Sequence, residues 1–136
     1  MMERAADTVR ERIERAAEGL VYSPSAKRPF EFHRFTGITI PVTRLSATEL
    51  ASLAGARGGE VREVTLDAFL ARHTEPIDHH DAESRQLAAR FQALRDALQE
   101  SLDDVRVVRH LGLEARCFVL GNDPSTGEIA GVGTVG

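Results

Sequence analysis

The chain has 136 residues, 42% of them apolar and 28% charged, a globular composition that argues against both a membrane-embedded and an intrinsically disordered protein. At this length a folded chain buries roughly 65–70% of its unfolded surface, so residues 1–136 are expected to form one domain. Seventeen basic residues against 21 acidic ones give a formal charge of −4, which offers no general basic field for a phosphate backbone and disfavours direct nucleic-acid binding.

Apolar residues at Ala6, Val9, Ile13, Ala17 and Leu20 recur at helical spacing, predicting a helix over about 3–18 that stops at Gly19. Residues 23–29 read as a loop around Pro24 and Pro29, and the alternation from Phe30 to Phe35 predicts a half-buried strand. Ser46 and Glu49 form a capping-box pattern ahead of a short helix running to about Ala54. A second strand is expected over 61–66, and Asp67 is expected to cap a helix that closes before Pro76. Leu87, Phe91, Leu94, Leu98 and Leu102 mark a long amphipathic helix, capped by Asp81 or Ser84. Apolar runs over 105–111, 115–120 and 129–135, separated by turn signals at Gly112 and at 122–127, predict two consecutive hairpins. The order implies an α/β fold, a three-layer α/β/α sandwich with a mixed sheet, with a two-layer α+β sheet as the alternative.

Catalytic signatures are missing. Gly55-Ala56-Arg57-Gly58-Gly59 has neither the Lys-Ser/Thr pair nor the following helix of a phosphate loop and reads as a turn. Ser23 and Ser125 lack a neighbouring base, and Cys117 sits in an alternating strand as a small buried apolar residue that cannot form an internal disulfide. His33, His73 and His110 read as solitary solvent-facing or helix-terminal histidines. The adjacent His79 and His80 lie in the segment 75–83, which holds four acids and no base; without it the chain carries 17 acids and 17 bases. Adjacent histidines seldom face one metal, and zinc patterns space them three to five apart, so an exposed acidic loop is preferred to a metal site. No cofactor and no enzymatic activity are implied. No apolar run of about 18 residues and no signal peptide are present, so neither a membrane span nor export is expected and the cytoplasm is the expected compartment.

Gly19-Leu20-Val21-Tyr22-Ser23, followed after a short loop by Arg28-Pro29-Phe30-Glu31, resembles the start of the nuclease A inhibitor family. The resemblance continues collinearly through Phe69-Leu70, Thr74-Glu75-Pro76, Phe91-Gln92-Ala93-Leu94, Val119-Leu120-Gly121 and Gly127-Glu128-Ile129-Ala130-Gly131-Val132. It implies an α/β/α sandwich similar to the pathogenesis-related-1 proteins. It further implies protein–protein inhibition of a sugar-nonspecific, magnesium-dependent DNA/RNA endonuclease.

Three contact elements of that family fall on identifiable positions. The acidic residue of the loop after the first helix is Ser25 here, and the aromatic anchor after the Thr-x-Pro motif is His79, between Asp78 and His80. The family's threonine-terminated tail corresponds to the region of Thr134 and Gly136, with the threonine internal. The expected partner-binding residues are therefore Ser25, Asp78, His79, His80, Thr134 and Gly136, with the family's contacts altered at Ser25, at His79 and in the tail. The alternative is an interaction, metal- or ligand-binding module on the same scaffold without inhibitory activity.

Overall fold

The computed structural model describes residues 7–23 and 27–136. Within them the order is α1 (Thr8–Ala17), β1 (Glu31–Phe35), a 3₁₀ turn (Val42–Arg44), α2 (Ala47–Leu53), β2 (Glu60–Val64), α3 (Leu66–Thr74), α4 (Ala82–Ser101), β3 (Asp103–Leu111), β4 (Ala115–Asn122) and β5 (Ile129–Val135). The part of the predicted first helix that precedes Asp7 lies outside the described residues.

Local chemistry sets most boundaries. Asp7 caps α1 by accepting from the Arg10 amide, and Gly19, just past the helix, takes the left-handed φ of 75° that such an exit requires. Ser46 and Glu49 close the expected capping box on α2. Asp81, as expected, caps α4 through the Ser84 amide. Thr65, not Asp67, caps α3 by accepting from the Ala68 amide; Asp67 instead sits in the first turn, on the positive end of the helix dipole. Leu87 also departs from expectation: it is 49% exposed, and Ala88 takes the buried place beside Phe91, Leu94 and Leu98.

The five strands form one sheet in the order β1-β5-β4-β3-β2. Every pairing is antiparallel, which corrects the expected mixed sheet. The reason is the β2–β3 connection. A single crossover helix would return a parallel strand, whereas α3 and α4 run back and forth and deliver β3 to the end of the sheet where β2 finished.

Both faces of the sheet bury apolar side chains, because alternate residues of the strands point opposite ways. Cys117, Val119, Ala130 and Val132 pack with Ile13, Leu70, Phe91, Leu94 and Leu98 from α1, α3 and α4. Phe118, Leu120, Val108 and Ile129 pack with Val42, Leu50 and Ala51 from the 3₁₀ turn and α2. Asn122 pins the approach to the second cluster: it accepts from the Val42 amide at 2.8 Å and donates to the carbonyl oxygens of Ile40 and Gly127. At the start of α1, the Arg34 guanidinium on β1 bonds Asp7 at 2.7 Å, Asp123 at 2.9 Å and Glu128 at 3.1 Å, joining helix, edge strand and the β4–β5 turn.

Candidate functional site

Strand register sorts the connections between the two ends of the sheet. Glu60 faces Leu111, Leu111 faces Ala115, Arg116 faces Val135 and Glu31 faces Gly133, so these strand ends share one edge of the molecule. The loop following α1, the turn before β2, the β3–β4 hairpin and the segment after β5 all leave from it. Since α3 starts at the far end, beside Val64, its last turn returns to this edge and carries the α3–α4 loop with it.

Tyr22 is the point at which three of these segments meet. Its ring stacks on Phe69 at 4.4 Å with planes 9° apart, and His73 meets it edge-on at 5.0 Å. The Arg72 guanidinium lies 4.8 Å over the same ring and donates to the Tyr22 carbonyl at 3.4 Å. Gly136 rests against Tyr22 and Ser23 so closely that a Cβ there would come within 2.9 Å of the Tyr22 ring. The Gly136 carbonyl accepts from Arg109 at 3.0 Å and faces the Cys117 thiol at 3.6 Å, while its amide donates to the Ala115 carbonyl at 2.8 Å. His73 also stacks on Phe91 at 4.4 Å, and burial, followed by the neighbouring Arg72 charge, holds its pKa below the ordinary imidazole value. It is helix-terminal, as expected, but packed between rings and not solvent-facing. His33 and His110 depart from the solvent-facing expectation too, the first packing against Phe35 and Phe118 and the second bonding the Gly58 carbonyl at 2.5 Å.

The α3–α4 loop is held by its own hydrogen bonds. Gln92 donates to the Thr74 carbonyl at 2.7 Å and Arg85 to the His79 carbonyl at 2.7 Å. Asp78 accepts from the His80 amide at 2.9 Å, and the Asp81 amide donates to the Asp78 carbonyl. None of the eight ion pairs among the described residues involves Glu75, Asp78, Asp81 or Glu83, so the α3–α4 loop and the first turn of α4 together carry four carboxylates with no ion-pair partner among the described residues.

The expected partner-binding residues divide by accessibility. Asp78, His79 and His80 are exposed on the α3–α4 loop. Thr134 is only 7% exposed and donates to the carbonyl oxygens of Pro29 and Arg28, so its side chain ties β5 to the segment before β1. Gly136 lies against Ser23, and Ser25 falls outside the described residues. Among the described residues no group of three or more His, Cys, Asp or Glu side chains could hold a metal ion. Sequence reasoning missed Ile77, which is 94% exposed between Pro76 and Asp78, and Leu113, fully exposed on the β3–β4 hairpin. A lone isoleucine inside an acidic run was the available signal for the first; the second resembles any hairpin residue.

The family model for nuclease A inhibitor-like proteins matches residues 7–135 of the chain. No curated protein matches it. No helix among the described residues is long and apolar enough to cross a membrane.

Proposed function

The chain belongs to the nuclease A inhibitor-like family, and on that premise we propose that it is a non-enzymatic protein inhibitor of a metal-dependent, sugar-nonspecific endonuclease. The observation that carries this reading is the gathering of the loop after α1, the last turn of α3 that leads into the α3–α4 loop, and Gly136 around one edge of the sheet, with Tyr22 joining them. The interaction residues are Ser25, Asp78, His79 and His80, with Gly136 contributing backbone and Thr134 holding β5 in place. A cleft that binds nucleic acid is cationic, and the segment 75–83, with four acids and no base, has the complementary sign. Inhibition then needs no chemistry from this chain: it occupies the cleft and excludes substrate. Helices on both faces of the sheet support a three-layer α/β/α sandwich; its likeness to the pathogenesis-related-1 fold, its extent as one domain over residues 1–136 and its place in the cytoplasm belong to the same proposal.

Titration of the purified protein into a supercoiled-DNA cleavage assay with a sugar-nonspecific, magnesium-dependent endonuclease tests the proposal. A stoichiometric loss of cleavage that excess magnesium does not reverse is expected. Undiminished cleavage at micromolar excess over such nucleases, including one from the same source, refutes it.

A further inference from the structure

We propose that Ile77, with Leu87 beside it, is the apolar anchor by which this protein seats in the cationic cleft of its partner, and that His79 is not. Ile77 is 94% exposed and Leu87 49% exposed, and with Arg72, His73, Glu75 and Ser84 they line a notch of about 50 Å³ where the loop meets α4. Neither side chain belongs to either buried cluster, so the core does not require an apolar residue at either position.

The placement is suited to binding in three respects. The loop is already ordered by the bonds from Gln92, Arg85 and the His80 amide, so presenting Ile77 costs little further conformational freedom on association. Pro76 fixes the backbone immediately before it. Ile77 is the one large apolar residue in a segment that carries Glu75, Asp78, Asp81 and Glu83, none in an ion pair among the described residues, and Glu75 lines the notch beside it, the pattern of a small hydrophobic centre with a charged rim. The sign of that rim selects a partner whose pocket is apolar at its floor and basic around it. His79 instead uses its carbonyl to receive Arg85 and carries an imidazole outside any apolar contact in the notch.

The identity of the partner rests on the proposed function, and the experiment separates the two. Inhibition constants against a purified sugar-nonspecific, magnesium-dependent endonuclease are measured for the wild type and for Ile77→Asn, Leu87→Asn, His79→Ala and Leu113→Asn. All four positions are exposed or half-exposed, and thermal melting checks that each variant is folded. Expected are a rise of about thirtyfold for Ile77→Asn and about fivefold for Leu87→Asn, a smaller rise than either for His79→Ala, a rim contact, and less than a twofold change for the equally exposed Leu113→Asn, which lies outside the proposed interface. Wild-type inhibition that survives Ile77→Asn, or that is lost with His79→Ala instead, overturns the anchor and leaves the inhibitor reading intact. Absence of wild-type inhibition overturns both. A concentration-dependent dimer in sedimentation that Ile77→Asn abolishes assigns the tip to a second copy of the chain and overturns the anchor as well.

Discussion

His73 and His33 are imidazoles whose neutral form the fold prefers. For each, burial is the main cause of the depressed pKa; the Arg72 charge adds to it at His73, and at His33 Arg116 lowers while Glu31 raises it. A group whose pKa is lower folded than unfolded binds fewer protons in the native state, so its stabilisation is present above the unfolded value and is lost as pH falls. Stability should therefore decline as pH falls below about 6.5, before the carboxylates titrate. His73→Gln should flatten that decline, read as urea midpoints between pH 7.5 and 5; an unaltered slope in the variant sinks the assignment. Gly131 shows a different residue-level constraint. A Cβ there would sit 1.8 Å from the Val119 carbonyl oxygen, a backbone atom that cannot step aside without breaking the β4–β5 ladder. Gly131→Ala should cost at least about 3 kcal/mol in equilibrium unfolding, and a loss under 1 kcal/mol contradicts the close approach.

At the level of elements, legibility followed the range of the interaction. The Ser46…Glu49 box and the Asp81 cap were readable because donor and acceptor lie three residues apart and the motif is complete in sequence. Thr65 and Asp67 can both cap a helix, and only the actual exit of β2 decides which hydroxyl or carboxylate reaches the free amide. Leu87 fits the helical period, yet it lines the half-open notch against the last turn of α3 and the α3–α4 loop, while the small Ala88 beside it takes the buried position. The Arg34 cluster had no sequence signal at all, since its partners stand 27, 89 and 94 residues away. That cluster fastens α1 to the sheet edge. Burial pushes Asp7 and Asp123 upward, but hydrogen bonds outweigh it and hold both below the usual carboxylate value, from Arg34 and the Arg10 amide at Asp7 and from Ser125 and Arg34 at Asp123. Arg34→Met should leave the 3%-exposed Asp123 side chain without its counter-charge and cost about 3 kcal/mol. Hydrogen exchange should speed first in α1, and exchange rising uniformly over all helices would contradict the role as a local clamp.

For the molecule as a whole, the family and the element order could be read from collinear residues, whereas the sheet's direction could not, because two successive helices return the next strand antiparallel only if they pack back and forth, and that packing has no local pattern. The convergence of the Tyr22 loop, the α3–α4 loop and Gly136 belongs to the same level: it follows from antiparallel register, which no local pattern states. That convergence makes the charge of the edge a property of the assembled surface, and it yields a kinetic prediction. If the unpaired carboxylates of 75–83 steer the protein toward a cationic cleft, association with the nuclease should slow about tenfold between 20 mM and 500 mM salt, while dissociation changes little. Glu75→Gln, Asp78→Asn and Glu83→Gln in one variant should slow association several-fold at low salt and remove most of the salt dependence. Asp81 is left intact because it caps α4, and Asn at 78 keeps an oxygen for the His80 amide. Because none of the three altered carboxylates pairs with a base, the melting temperature should stay within about 2 °C of the wild type. Stopped-flow association across that salt range decides the matter: a wild-type rate indifferent to salt would mean that the acidic loop is solvent-facing decoration and that apolar contact alone holds the complex.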